Sequence, residues 1–155
     1  MSSDTTAPAS DAEARQRKAD ENRATLEAVY AAFFRGDLEG WLSFFDESSV
    51  FWEADSLPYG GVARGREGAR ATVMKMVDSW DDVAFDVEEM VASEQRVIAY
   101  GTFTGTGKAT GKRVSFPLAE MWMFRNGKVA ELKAIYGDTA LAAAALGHDP
   151  APKLP

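Results

Sequence analysis

The length of 155 residues fits one domain, because soluble domains usually contain roughly 100 to 150 residues. A composition of 46% hydrophobic and 26% charged residues, with nine Phe, four Trp and four Tyr, excludes global disorder. The net charge of −7, without any Lys/Arg cluster, argues against nucleic acid and membrane partners. The absence of cysteine excludes disulfides, thiolate metal sites and cysteine nucleophiles.

The first residues include acidic side chains and form no apolar segment of the kind found in secretory leaders. Nowhere does the sequence approach the roughly 18 consecutive apolar residues that a membrane-spanning helix needs. We therefore expect a cytoplasmic protein.

Both ends of the chain differ in composition from its middle. Residues 1–18 are rich in Ser, Thr, Ala, Asp and Pro and lack the large apolar side chains that offset the entropy of ordering. Residues 148–155 contain three prolines and one histidine, His148. We predict a disordered tail over 1–18, a single folded domain over 19–147 and a flexible tail over 148–155.

Helices are predicted in the first half of the domain. From Leu26 onward, apolar residues recur at spacings of three and four, as in a helix that buries one stripe, and Gly36 ends this helix. Asp37 can cap a second short helix. A strand over residues 48–54 and a glycine-bearing turn separate it from a third helix, which opens at Gly65.

Strands are predicted in the second half. Four runs are rich in β-branched and aromatic residues: 83–91, 96–106, 112–124 and 128–136. Asn126 and Gly127 accept the positive φ angles of a two-residue type I′ hairpin, so the last two strands should pair. Pro117 cannot donate to a sheet ladder and predicts a bulge or a bend. An alanine-rich run over 138–146 favours a closing helix, and the whole pattern indicates an α+β fold with a bent sheet.

Three segments occur in an order that resembles the nuclear-transport-factor-like, or SnoaL-like, superfamily. They are Gly36-Asp-Leu-Glu-Gly40, Phe45-Asp-Glu-Ser-Ser-Val-Phe-Trp-Glu53, and Ala119-Glu-Met-Trp-Met-Phe124 followed by Gly127-Lys-Val-Ala-Glu-Leu-Lys-Ala-Ile-Tyr-Gly-Asp138. Within this superfamily the chain resembles the Δ5-3-ketosteroid isomerases and the polyketide cyclases. The resemblance implies a cone-shaped, cystatin-like, mostly antiparallel sheet wrapped around three N-terminal helices, an apolar pocket, and a homodimer formed through the sheet.

The resemblance also implies two catalytic residues. Glu53 matches the general-base aspartate of the isomerases, and Glu120 matches the protonated aspartate of their oxyanion hole. Their helix tyrosine has Val29 at the matching position, with Tyr30 one residue away, so this donor is missing or displaced. The other tyrosines that could supply it are Tyr59, Tyr100 and Tyr136. Asp55 is a second candidate for the base, although it lies in turn-forming sequence.

A pocket wall follows from strand alternation together with the resemblance. Alternation places Glu120 on the same face as Trp122 and Phe124, and the resemblance turns this face inward. The predicted substrate-binding residues are Tyr30, Phe33, Tyr59, Trp122, Phe124, Leu132, Ala134 and Tyr136. Many of the cyclases carry a His and an Asp where this chain has Leu132 and Ala134. The pocket suits a small apolar, carbonyl-bearing molecule.

Three functions remain open. In an isomerase, Glu53 removes a proton α to a carbonyl group and Glu120 hydrogen-bonds the enolate oxygen. The same pocket suits an epoxide hydrolase, a dehydratase or a polyketide-cyclase-type enzyme, or a non-catalytic small-molecule-binding or dimerisation module. One histidine, no cysteine and no paired acids at ligand spacing lead us to expect no metal and no cofactor.

Overall fold

A computed structural model describes residues 7–148. Its elements in chain order are α1 (Ala7–Phe34), α2 (Leu38–Ser43), β1 (Phe45–Glu53), β2 (Gly61–Arg64), α3 (Gly65–Ser79), β3 (Trp80–Ala92), β4 (Arg96–Gly107), β5 (Arg113–Arg125), β6 (Lys128–Tyr136) and α4 (Thr139–Ala145). The six strands form one curved sheet in the order β2-β1-β6-β5-β4-β3. Only β1 and β6 run parallel among these neighbours. The predicted α+β fold is confirmed.

The first helix is longer than the sequence analysis predicted. It begins at Ala7, so residues 7–18, which we expected to be a tail, are helical. Side chains 10–17 are exposed, which shows that burial does not hold this segment. Alanine-rich composition and i,i+4 pairs such as Gln16 to Asp20 at 2.9 Å favour the helix instead. Of the predicted tail at 148–155, only His148 lies within the described residues.

The predicted helix boundaries depend on caps that the structure confirms. Gly36 follows α1 with a φ of 76°, in the left-handed region that glycine adopts readily. The Asp37 carboxylate accepts a hydrogen bond of 2.8 Å from the Gly40 amide at the start of α2. Asp138 caps α4 in the same way through the Leu141 amide, also at 2.8 Å.

The predicted hairpin between β5 and β6 is also confirmed. Asn126 and Gly127 have φ angles of 51° and 72°, and the flanking residues Arg125 and Lys128 are paired. This turn fixes the register between the two strands that carry most of the candidate site. The structure thereby places Glu120 and Trp122 on the concave side of the sheet.

The bulge predicted at Pro117 is wrong. The register shift between β5 and β6 falls between Met123 and Phe124. The Pro117 carbonyl accepts a hydrogen bond of 2.7 Å from the Gly137 amide, just beyond the end of β6 at Tyr136. The nitrogen of Pro117 faces the same side as this carbonyl, towards β6. Because β6 ends at Tyr136, the missing N–H interrupts no hydrogen bond of the ladder.

Two buried clusters hold the sheet against the helices. The first packs α1, α2 and α3 on the concave face, with Leu26, Trp41 and Trp122 among its members. The second lies under α4 and includes Trp80 and Phe116. Within residues 7–148, no helix is both long enough and apolar enough to cross a membrane.

Candidate functional site

A cavity of about 60 Å³ lies inside the cone. The apolar side chains of its wall come from α1, α2, α3 and five of the strands. They are Phe33, Phe34, Trp41, Phe51, Val73, Met76, Val83, Phe85, Phe103, Leu118, Trp122 and Leu132. The oxygen-bearing side chains of the wall are Tyr30, Glu53, Glu120 and Tyr136. An apolar cavity with a few converging polar groups is typical of a small-molecule site.

A wider outer space, which we call the vestibule, adjoins the cavity. The vestibule has a volume of about 570 Å³ and shares Phe33, Phe34 and Met76 with the cavity wall. Its lining is mostly apolar, with Phe34 and Val77 47% and 50% exposed, and it also includes the charged residues Asp81, Asp82 and Lys108. The inner cavity alone is smaller than a typical ligand pocket, so a larger ligand needs the space of the vestibule as well.

The register of the sheet places Glu53 and Glu120 in one row of paired residues that runs across the strands. Ala134 pairs with Glu120 across β5 and β6. On the other side of β6, Trp52 pairs with Lys133, which sets Glu53 level with Ala134. Two strand spacings therefore separate the Cα atoms of the acids, about 10 Å. Ala134 lies between the two acids in this row.

Glu120 lies at the end of this row that is rich in hydrogen-bond donors. The Tyr30 hydroxyl donates to Glu120 Oε2 at 2.5 Å, and the Trp122 indole donates to the same oxygen at 3.2 Å. Trp122 Nε1 also lies 3.1 Å from the Tyr30 hydroxyl oxygen. Burial raises the pKa of Glu120, and these two hydrogen bonds oppose the rise. Among the described residues, nothing donates to Oε1, the oxygen left for a ligand.

Glu53 lies at the opposite end, where donors are scarce. Its side chain is only 2% exposed, and its Oε2 is buried without a hydrogen-bond partner in the described part of the chain. Burial raises the pKa of Glu53 well above its usual value, and the charge of Glu120 raises it further. A hydrogen bond with Tyr136 acts in the other direction. The surroundings of Glu53 therefore favour its neutral, protonated form.

Burial raises the pKa of both acids, but the donors differ between them, in the reverse of the sense that the family resemblance implied. The resemblance implied a charged Glu53 and a neutral Glu120. The donors that stabilise a charge instead converge on Glu120. One of them, Tyr30, is 90 residues away in the sequence, so strand patterns could not reveal the contact.

Among the tyrosines that could replace the missing helix tyrosine, Tyr30 lines the cavity and donates a hydrogen bond to Glu120. Val29, which occupies the matching position, is fully buried in the first cluster. Tyr30, one residue later, turns into the cavity and packs edge-on against Trp122, with ring centroids 5.8 Å apart. Tyr100 is 46% exposed and does not line the cavity.

The predicted substrate-binding residues divide into two groups. Those that line the cavity are Tyr30, Phe33, Trp122, Leu132 and Tyr136. The other three, Tyr59, Phe124 and Ala134, are buried outside its wall. Tyr59 lies behind Tyr136, and Phe124 packs in the first cluster. The sequence analysis did not assign Val73 or Met76 to the site, although their helical spacing on α3 was a usable signal.

The remaining candidates lie away from the cavity. Asp55 is exposed in the turn after β1, as turn-forming sequence suggested. His148 follows α4, and its backbone amide donates to the Ala143 carbonyl at 2.9 Å. Within residues 7–148, no group of three or more His, Cys, Asp or Glu side chains is arranged to hold a metal ion.

Comparisons with known proteins agree with the fold. Residues 26–132 match the family model of the SnoaL-like domain. An NTF2-like protein of Burkholderia xenovorans is 26% identical, with a TM-score of 0.76 over 83% of this chain and 97% of that chain. An NTF2-like protein of unknown function from Burkholderia pseudomallei is 24% identical, with a TM-score of 0.75 over 81% and 97%.

A more distant structure has a name that suggests an activity. It is a candidate SnoaL-like polyketide cyclase from Jannaschia, 15% identical, with a TM-score of 0.72 over 84% of this chain and 94% of that chain. At this identity the likeness shows the fold alone. Among proteins with curated descriptions, none matches the sequence.

Proposed function

This chain belongs to the SnoaL-like domain family, and from that premise we propose that it binds a small apolar, carbonyl-bearing molecule and moves a proton on it. The observation that carries the proposal is the contrast between the two acids in one apolar cavity. Glu120 accepts two hydrogen bonds on Oε2, whereas Oε2 of Glu53 has no partner in the described residues. Two carboxyl groups with opposite protonation states can serve as base and acid.

Glu120 is the base in this proposal. Tyr30 and Trp122 hold one oxygen of its carboxylate and stabilise the negative charge. The other oxygen, Oε1, faces the substrate and takes a proton from the carbon next to the carbonyl group. The electron pair of the broken C–H bond moves onto the carbonyl oxygen and forms an enolate.

Glu53 is the acid. Its neutral carboxyl group donates a hydrogen bond to the substrate oxygen, and this bond strengthens as negative charge develops in the apolar cavity. Glu120 then returns its proton to a different carbon, so the product is an isomer and no cofactor takes part. This division of roles is the reverse of the one that the resemblance to ketosteroid isomerases implied.

A second outcome of the same first step is ring closure. The enolate carbon attacks a second carbonyl group of the same molecule, the electron pair of that C=O π bond moves onto its oxygen, and the resulting alkoxide takes the proton from Glu120. The vestibule favours this candidate, because its volume of about 570 Å³ accommodates a longer substrate than the inner cavity. The cyclase name of the Jannaschia structure supports it only through the shared fold.

Proton transfer is tested by incubating the protein with two-ring β,γ-unsaturated ketones in deuterium oxide. We expect deuterium in the recovered ketone and a conjugated product, both absent with the double variant Glu53→Gln/Glu120→Gln. Glu89→Gln is the matched control, because Glu89 is an exposed acid on β3. Ketones that bind in the cavity without any exchange above the solution rate would indicate a binding module instead.

We also propose a homodimer formed through the convex face of the sheet. Ile98, Tyr100 and Ile135 are 38%, 46% and 45% exposed on this face. Register places them in two adjacent rows, since Ile98 pairs with Met121, and Ala119 links Tyr100 to Ile135. Tyr100→Asp should shift the solution mass from dimer to monomer. A monomeric wild-type mass at all micromolar concentrations would contradict the proposal.

A further inference from the structure

Three hydrogen-bonding side chains form a chain behind the Glu53 end of the cavity. Trp80 Nε1 donates to the Tyr59 hydroxyl at 3.0 Å, and the hydroxyl oxygens of Tyr59 and Tyr136 are 3.0 Å apart. Tyr136 lines the cavity and hydrogen-bonds with Glu53. Tyr59 and Trp80 do not line the inner cavity. The chain therefore links the second buried cluster to the acid end of the site.

The direction of this chain follows from the chemistry of tryptophan. An indole N–H can only donate, so the Tyr59 oxygen accepts from Trp80, and the single hydroxyl hydrogen of Tyr59 needs another acceptor. The Tyr136 oxygen is the acceptor within reach. If Tyr136 donated to Tyr59 instead, the Tyr59 hydrogen would be buried without a partner, because Tyr59 is only 3% exposed.

Ring packing fixes the side chains, so that only the hydroxyl hydrogens can change direction. Tyr136 stacks on Phe116 with ring centroids 5.3 Å apart, and Trp80 packs against Phe103 at 5.1 Å. Phe103 also stacks on Phe116 at 4.8 Å. Since these contacts fix the ring positions, the donor at one end of the chain determines where the hydrogen at the other end points.

We propose that Trp80 and Tyr59 are positioning residues that aim the Tyr136 hydroxyl hydrogen at one oxygen of Glu53, so that the proton on the unpartnered oxygen, Oε2, points at the substrate oxygen. Tyr136, which accepts from Tyr59, is thereby a stronger donor than an isolated hydroxyl group. This inference rests on the proposed function, because it takes the substrate oxygen to lie at the Glu53 end. It assigns the orientation of the Glu53 carboxyl group to Tyr136 and to two residues outside the inner cavity.

The test uses 4-nitrophenol, whose phenolate oxygen stands in for the enolate, and nitrobenzene, which has the same ring without that oxygen. Their dissociation constants are measured for wild type, Tyr59→Phe, Trp80→Phe and Tyr136→Phe. We expect Tyr59→Phe to weaken nitrophenol binding about three- to tenfold, the usual size for one hydrogen bond, and to leave nitrobenzene binding unchanged. Tyr100→Phe removes an exposed hydroxyl and serves as the control.

A double-mutant cycle separates positioning from a structural role. If Tyr59 acts through Tyr136, adding Tyr59→Phe to Tyr136→Phe has no further effect on nitrophenol binding. Equal weakening of both probes by Tyr59→Phe or Trp80→Phe, or additive effects in the cycle, would overturn the positioning role alone. Wild-type nitrophenol binding that is absent, or unchanged in Glu53→Leu, which leaves no donor at this position, would overturn the acid end of the proposed function and this inference with it.

Discussion

The two ends of the cavity contain the same kind of side chain in different surroundings. At one end, Tyr30 and Trp122 donate to a single oxygen of Glu120. At the other end, Glu53 is almost fully buried and one of its oxygens has no partner within the described residues. Both acids lie on the row of Ala134, so neither residue type nor strand position distinguishes them. Their difference comes from the donors that neighbouring elements bring.

This contrast indicates how a pair of acids can share one proton. Two carboxylates in one apolar cavity repel each other. Once one acid has lost its proton, the other therefore holds its own proton more tightly. The donors of α1 and β5 favour the charge on Glu120, and burial favours the proton on Glu53. Substitutions at either end should therefore have unequal effects.

The largest expected effect is on the rate of proton exchange. Glu120→Gln removes the base and should lower the exchange rate of a responsive ketone by about 10²- to 10⁴-fold. Glu53→Gln keeps a neutral hydrogen-bond donor in the same place, so its loss should be smaller, roughly tenfold or less, about the size of one hydrogen bond. Rates are compared by deuterium incorporation under identical conditions. The reverse order of the two variants would assign the base to Glu53.

The next effect is on the pH dependence of stability. An unfolded chain releases the Glu53 proton near the usual pKa of 4.5, whereas the folded protein keeps it to a much higher pH. Between these two pKa values the folded state binds more protons, so the free energy of unfolding falls as pH rises. One such group contributes a slope of about 1.4 kcal/mol per pH unit.

Urea unfolding of wild type and Glu53→Gln at several pH values above 4.5 measures this slope. We expect the variant to gain stability relative to wild type as pH rises, because glutamine has no proton to lose. The free energy of unfolding of the exposed control Glu89→Gln should change with pH in parallel with that of wild type. A Glu53→Gln curve that also runs parallel would mean that Glu53 ionises in the folded protein at an ordinary pH.

The smallest effect concerns the donors of Glu120. Tyr30→Phe removes a hydrogen bond that lowers the pKa of Glu120, so this pKa should rise. Glu120 then stays protonated up to a higher pH, so the acidic limb of the pH–rate profile should move to higher pH. The rate at the plateau should fall by a fewfold. An unchanged limb would show that Tyr30 does not stabilise the carboxylate.

Local sequence signals predicted much of the fold. Asp37 and Asp138 cap the helices that they were expected to cap, and Asn126-Gly127 forms the expected hairpin. These features depend on backbone preferences within a few residues, which a single sequence displays. The start of α1 at Ala7 was not predicted, because residues 7–18 lack large apolar side chains and are helical through helix propensity instead.

The site was predictable only in part, because its chemistry depends on contacts between distant segments. Strand alternation and the resemblance together placed Glu120 and Trp122 in the cavity wall. The hydrogen bond from Tyr30 on α1 and the contact of Trp80 with Tyr59 join residues with no common periodicity. The unpaired oxygen of Glu53 is a property of packing, and no sequence pattern encodes it.

The protonation state of Glu53 is tested most directly by a pH titration of the glutamate side-chain carboxyl carbons, followed by ¹³C NMR. Glu53→Gln and Glu120→Gln assign the two resonances of the cavity. We predict one carboxyl carbon that titrates well above the usual range, is missing in Glu53→Gln and titrates at a lower pH in Glu120→Gln, where the neighbouring charge is gone. A high-pH titration that disappears in Glu120→Gln and persists in Glu53→Gln would contradict the assignment of acid and base.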